Sequence, residues 1–246
     1  MKKLIAMLLV LAMALCLFGC GVSNEGNGTT TAATTEATTE GTTAGDTMSY
    51  AEYAAAAMES EVTVLCYVQD HQSWWDNKIT VYAADKDGAY FLYEMACTEA
   101  DAAKLTPGTA IKVTGYKGEW AGEVEIMDAT FEFVDGETYV AEPVDLTDKL
   151  ASDELINYQN QLASFKGMTV KEISYKNDKP GDDIYVTLTK GDKDYNFCVE
   201  VYLTDAESDV YTTVGTLKAG DVVDVEGFVY WYEGVNPHIT AITVAK

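Results

Sequence analysis

All four tryptophans of the 246-residue chain stand between its regular apolar runs: Trp74 and Trp75 together, Trp120, and Trp231, which is followed by Tyr232. An indole offers a broad apolar face and one polar edge, which suits stacking on a sugar, a base or a proline ring. These five residues are the candidate ligand contacts. The same rings could instead close the end of a small barrel or pack one domain on another. Trp74 and Trp75 are neighbours on an extended segment, so they point opposite ways and at most one faces a cleft.

Little else points to chemistry. Of the two histidines, His71 sits among polar residues and reads as solvated, while His238 follows Pro237 and reads as a packing or turn residue. No Gly-x-Ser-x-Gly, His-Glu-x-x-His or phosphate loop occurs. The 40 acidic residues contain no pair whose spacing sets it apart. Asp85-Lys-Asp-Gly88 resembles part of a calcium loop, with Glu94 at the closing position. Ala83 stands where the first carboxylate belongs and strands flank the segment, so it reads as a turn. The expectation is a non-enzyme with no cofactor and no metal.

The elements that must hold the aromatic residues are mostly strands. Val62, Val64, Cys66 and Val68 alternate, as do Ile79, Val81 and Ala83, and Asp87-Gly88 is a hairpin signal before Ala89–Met95. Further on, Ile184, Val186 and Leu188 alternate, Gly191-Asp192 turns, and Tyr195 to Tyr202 returns. An internal repeat at an offset of 112 ties the two halves together: Leu105–Gly108 through Gly115 matches Leu217–Gly220 through Gly227, and Trp120-Ala-Gly122 matches Tyr232-Glu-Gly234. Thr98-Glu-Ala-Asp101 and Thr204-Asp-Ala-Glu207 both carry a capping-box pattern, which predicts a short helix in each half. Ser49-Tyr-Ala-Glu52 predicts a leading helix reaching Met58. Ser152 predicts a second, with Leu155, Ile156 and Leu162 on its apolar stripe and Gly167 beyond its end.

The order strand, strand, strand, helix, strand, strand is that of an OB-fold. The expected fold class is mainly β: two tandem five-stranded OB-fold-like barrels, 48–143 and 144–246, each with a leading helix and a short helix between strands 3 and 4. Ligands of such barrels usually lie across strands 2 and 3, beside the loops that hold the tryptophans. The first barrel therefore reads as the better-formed aromatic cleft. Cys66, Cys97 and Cys198 have no metal spacing and read as buried free thiols, with a Cys66–Cys97 disulfide as the alternative.

Residues 1–19 combine Lys2-Lys3 with an apolar run from Leu4 to Leu17, short of the roughly 20 residues that span a bilayer. Leu17-Phe-Gly-Cys20 resembles the lipobox of bacterial lipoproteins, which implies cleavage before Cys20 and a lipid on it. Residues 20–47, rich in Thr and Gly, cannot bury a core; they read as a disordered tether with a span of about 30 Å. Without residues 1–19 the chain has 14 basic and 40 acidic side chains, a net of −26. Such a charge repels phosphate backbones and anionic lipid headgroups.

Ser73-Trp-Trp-Asp-Asn77, Tyr82, Asp85–Tyr93, Met95-Ala-Cys97 and Gly227–Gly234 with Asn236–Thr240 resemble a family of lipoproteins from Gram-positive gut bacteria. The resemblance covers the whole chain and implies two OB-like domains on a lipid anchor, with no established activity. The expected function is a membrane-anchored, extracellular binding or adaptor module for a glycan, a peptide or a partner protein. The alternatives are an accessory nucleic-acid-binding protein of an extracellular nuclease system, which the charge opposes, and a purely structural spacer.

Overall fold

Alternating valines in one strand and an unbroken apolar run in the next set the first half of the fold. In a computed structural model that describes residues 47–245, helix α1 (Tyr50–Ala55) precedes strands β1 (Glu61–His71), β2 (Lys78–Ala84) and β3 (Ala89–Ala96). Helix α2 (Glu99–Ala102), β4 (Ala110–Trp120) and β5 (Glu123–Phe133) follow. The five strands form a closed barrel in the order β1-β2-β3-β5-β4. Val62, Val64, Cys66 and Val68 meet Ile79, Val81, Leu92, Ile111, Val113 and Ile126 inside it. The proposed signal, Cys20 and the tether lie outside the described residues, apart from Thr47.

The second half contains β6 (Val144–Asp145), β7 (Leu162–Tyr175), β8 (Ile184–Lys190), β9 (Lys193–Val199), β10 (Val222–Phe228) and β11 (His238–Val244), with α3 (Val201–Thr204) and α4 (Asp209–Val214) before β10. They make a six-stranded sheet in the order β10-β11-β9-β8-β7-β6, with a further pairing of β10 to β7. β6 runs parallel to β7 and adds a strand that the repeat does not predict. Phe165, Val186, Leu188, Phe197, Val225 and Ile239 fill the core beneath it.

The repeat has a steric basis in two glycines. A Cβ at Gly115 would lie 2.7 Å from Met127 O, and one at its counterpart Gly227 would lie 2.0 Å from His238 O. Both sit where the strand pairing shifts register, β4 against β5 and β10 against β11. Only a residue without a side chain lets the strands close in at these bulges.

Three helix expectations change. The Ser49 capping box forms, but α1 ends at Ala55, because Ala56 is extended. Buried Lys117 meets that end, its Nζ donating to the carbonyls of Tyr53, Ala54 and Ala56 at 3.0, 2.8 and 3.0 Å. The second leading helix is a 3-10 segment at Asp153–Tyr158. It stops at Gln159, whose ψ of 137° is not helical, and Leu162 and Gly167 belong to β7 instead. Thr98 caps α2 as expected, but Thr204 ends α3, and after Asp205 at φ 68° the cap of α4 is Ser208. Tyr202, read as part of a returning strand, lies in α3.

Cys66, Cys97 and Cys198 are buried free thiols. Burial pushes all three thiols up, Cys97 to about 11, so they remain protonated and inert near neutral pH. The Asp85 segment is a turn: Asp85 Oδ1 accepts from the amides of Asp87 and Gly88, and Oδ2 accepts from the Tyr90 hydroxyl. Among the described residues no cluster of His, Cys, Asp or Glu could hold a metal ion.

Candidate functional site at the seam between the sheets

Both faces of β2 are buried. Ile79, Val81 and Ala83 face the barrel interior, and the opposite row, Thr80, Tyr82 and Ala84, is buried as well. The outward row packs under the second sheet: Tyr82 and Phe91 form one cluster with Leu203 and Phe228, backed by Leu162 and Tyr230. The Tyr82 and Phe228 rings stack at 4.2 Å with 4° between planes. Around Tyr82 and Phe91 strands 2 and 3 of the barrel are thus covered, which corrects the expectation of an open aromatic groove there. The apolar run Ile79–Ala84 has the composition of a strand covered on both sides; what covers it is set by distant residues, from Leu162 to Tyr230.

Polar groups pin this seam. Gln72 donates its amide to both oxygens of Glu200 at 2.8 and 2.9 Å. The amide of Ser73 donates to Tyr202 O at 2.7 Å. Gln159 accepts from the amide of Val124 and donates to Gly122 O. Glu123, fully buried, accepts from Asn160 Nδ2 at 2.6 Å and from the Trp231 amide at 2.8 Å. His238 is a packing residue, one of the two expected alternatives: Tyr82 Oη is 3.0 Å from its Nδ1, Glu200 Oε2 is 3.4 Å away, and Tyr230 stacks on its ring at 4.3 Å. Burial lowers the imidazole to about 4, so it is neutral near pH 7 and its contact with Glu200 is no ion pair.

The same burial acts in reverse on the carboxyls. Desolvation raises Glu123 to about 8 against the opposing hydrogen bonds from Asn160 and Trp231. Glu200 rises to about 7 for the same reason, and so does Glu125, helped by the charge on Glu94. Nothing in their spacing marks these three among 40 acids; their burial in the fold makes them unusual.

The five aromatic candidates separate into different roles. Trp74 turns inward against the barrel core and donates its Nε1 to Cys97 O at 2.9 Å. Its neighbour Trp75 is 79% exposed. Trp231 packs against the second core, close over Gly122. Trp120 and Tyr232 come together from the two corresponding loops, with ring centroids 5.2 Å apart and an interplanar angle of 39°. They remain 55% and 47% exposed. A backbone bond from the Glu233 amide to Ala121 O at 2.7 Å holds the loops together. The structure therefore builds one aromatic platform from both halves, with Trp75 exposed elsewhere on the barrel.

No family model matches the chain, and no curated protein does. Among solved structures, a murine DNA-binding protein bound to double-stranded DNA is similar over 75% of this chain and 95% of its own, at 12% identity and a TM-score of 0.39. The p204 HINb domain is similar over 77% of this chain and 100% of its own, at 12% identity and 0.35. Asparaginyl-tRNA synthetase from Pyrococcus horikoshii is similar over 35% of this chain, at 16% identity and 0.29. This chain spans 19% of that synthetase's length. Likenesses this weak have no bearing on what the chain does.

Proposed function

We propose that the chain is a non-enzymatic binding lipoprotein, tethered through Cys20 outside the cell, that uses the Trp120–Tyr232 pair to hold an extracellular glycan. The observation that carries this reading is the pair itself: two half-exposed rings, one from each half of the fold, 5.2 Å apart beside the backbone bond that joins their neighbours Glu233 and Ala121. Adjoining aromatic faces suit the flat C–H faces of successive sugar rings. A neutral sugar also pays no electrostatic penalty near a strongly acidic protein.

The reading includes a second OB-like barrel. It is supported by the pairings β7–β8, β8–β9, β9–β11, β11–β10 and β10–β7, which repeat the pairing pattern of the first barrel with a short helix pair before the fourth strand. Anchoring and the kinship to lipoproteins of Gram-positive gut bacteria rest on residues 1–20 and on the motifs around Trp74 and Trp231. Among the described residues no helix is long and apolar enough to cross a membrane.

A nucleic-acid ligand is disfavoured by a charge of −24, by a complete lack of arginine, and by the second sheet lying over strands β2 and β3. The test is a tryptophan-fluorescence titration of the full chain with neutral cell-wall oligosaccharides and, separately, with single-stranded DNA at low salt. A saturable change with sugar and none with DNA is the expected outcome; the reverse would replace this reading with the nucleic-acid one.

A further inference from the structure

We propose that the seam between the sheets is a proton-operated latch: with the Glu123 and Glu200 carboxyls protonated the second sheet is held over β2 and β3, and their ionisation releases it. The geometry is that of one buried acid, Glu123, and one largely shielded acid, Glu200, at an interface without a cation directly bonded to either among the described residues. Both Glu123 oxygens are engaged by neutral donors from the connecting segments of the second half, Asn160 Nδ2 and the Trp231 amide. Glu200 is held by the neutral Gln72 amide of the barrel. A carboxylate in such a place loses its hydration and gains no counter-charge. Asn160 Oδ1 is itself buried without a donor among the described residues, so this corner of the seam holds no spare hydrogen bond for a charge.

The other groups facing these acids do not reverse the argument. Glu123 feels Glu125 on its own strand, a like charge that disfavours its ionisation. The hydroxyls of Tyr53, Tyr82 and Tyr230 lie within electrostatic reach and stay neutral, each raised above its ordinary value chiefly by burial. Glu200 faces His238, which is neutral above about pH 4, and Asp183, which Lys176 pairs at 2.9 Å. Asp183 disfavours a charge on Glu200, Lys176 favours it, and burial outweighs both. Opening would expose the aromatic face formed by Tyr82 and Phe91, the face on which OB-type barrels usually take ligands.

Residue-resolved hydrogen exchange on the full chain tests this. The Ser73, Val124, Trp231 and Glu233 amides all donate across the seam, whereas those of Val64 and Val186 lie in strands within the two cores. With each rate normalised to the intrinsic rate at that pH, seam protection relative to core protection should fall about tenfold or more between pH 5.5 and pH 9, tenfold being about 1.4 kcal/mol. Glu123→Gln with Glu200→Gln should hold that ratio flat. If the double variant does not fold, Glu200→Gln alone should reduce the logarithmic change by about a third. A seam-to-core ratio constant with pH in the native protein, or an undiminished fall in the glutamine variants, would overturn the latch.

Discussion

Tyr82 and Phe228 lie face to face, 4.2 Å apart and 4° from parallel, although 146 residues separate them in the chain. The contact joins the outer face of a closed barrel to the end of a strand in the second sheet. It replaces an open ligand face with an internal interface, and it moves the exposed aromatic surface to the loops at the seam. The described residues consequently fall in one compact unit.

The two adjacent tryptophans should behave oppositely. Trp74→Ala removes a ring from the barrel core and the bond to Cys97 O, and should cost about 3 kcal/mol. Trp75→Ala, at a site 79% exposed, should change stability by less than about 0.5 kcal/mol. Urea unfolding of the two variants measures both.

Lys117 should prove structural despite its charge. Its ammonium closes three carbonyls at the end of α1 and lies 5.1 Å from the Tyr53 ring centroid. Lys117→Ala leaves those acceptors without this donor and should cost about 2 kcal/mol, read by urea unfolding. A loss of α1 protection in hydrogen exchange should accompany it.

Gly227→Ala should be the more damaging of two equivalent changes. Its Cβ would meet His238 O at 2.0 Å, against 2.7 Å from Gly115 to Met127 O. Backbone cannot yield cheaply, so Gly227→Ala should cost about 3 kcal/mol and Gly115→Ala less, as thermal midpoints will rank them.

Stability should peak in mildly acidic solution. Glu123, Glu125 and Glu200 are raised from 4.5 to about 8, 7 and 7, so their contribution is complete below pH 4.5 and is lost as pH rises toward 8. His238 is lowered from 6.5 to about 4, so its contribution is complete above 6.5 and is lost as pH falls toward 4. Where the windows overlap, three acids outweigh one imidazole and the seam gains stability on acidification. Urea midpoints between pH 4.5 and 9 should therefore be highest near pH 5, within about half a unit.

Much of the barrel could be read from residue order. Val62 to Val68 alternate because one face of β1 is core, and Gly115 and Gly227 repeat because both halves need a bulge that no side chain can enter. Helix ends were less readable. Thr204 to Glu207 imitates a cap, but the chain turns at Asp205 and starts the helix at Ser208. The site was half readable: the loop aromatics stand out by type, whereas the pairing of Trp120 with Tyr232 depends on docking between segments more than 100 residues apart. Glu123 and Glu200 carried no local signal, because an acid becomes a buried acid only through its distant neighbours.

The measurement that tests the central claim most directly is a titration of neutral cell-wall oligosaccharides into the full chain and into its Trp120→Ala, Tyr232→Ala and Trp75→Ala variants, read by calorimetry. The account predicts saturable binding by the native protein, lost about tenfold or more in each platform variant and kept within about twofold in Trp75→Ala, with all three folded. Unchanged affinity in Trp120→Ala and Tyr232→Ala would contradict it.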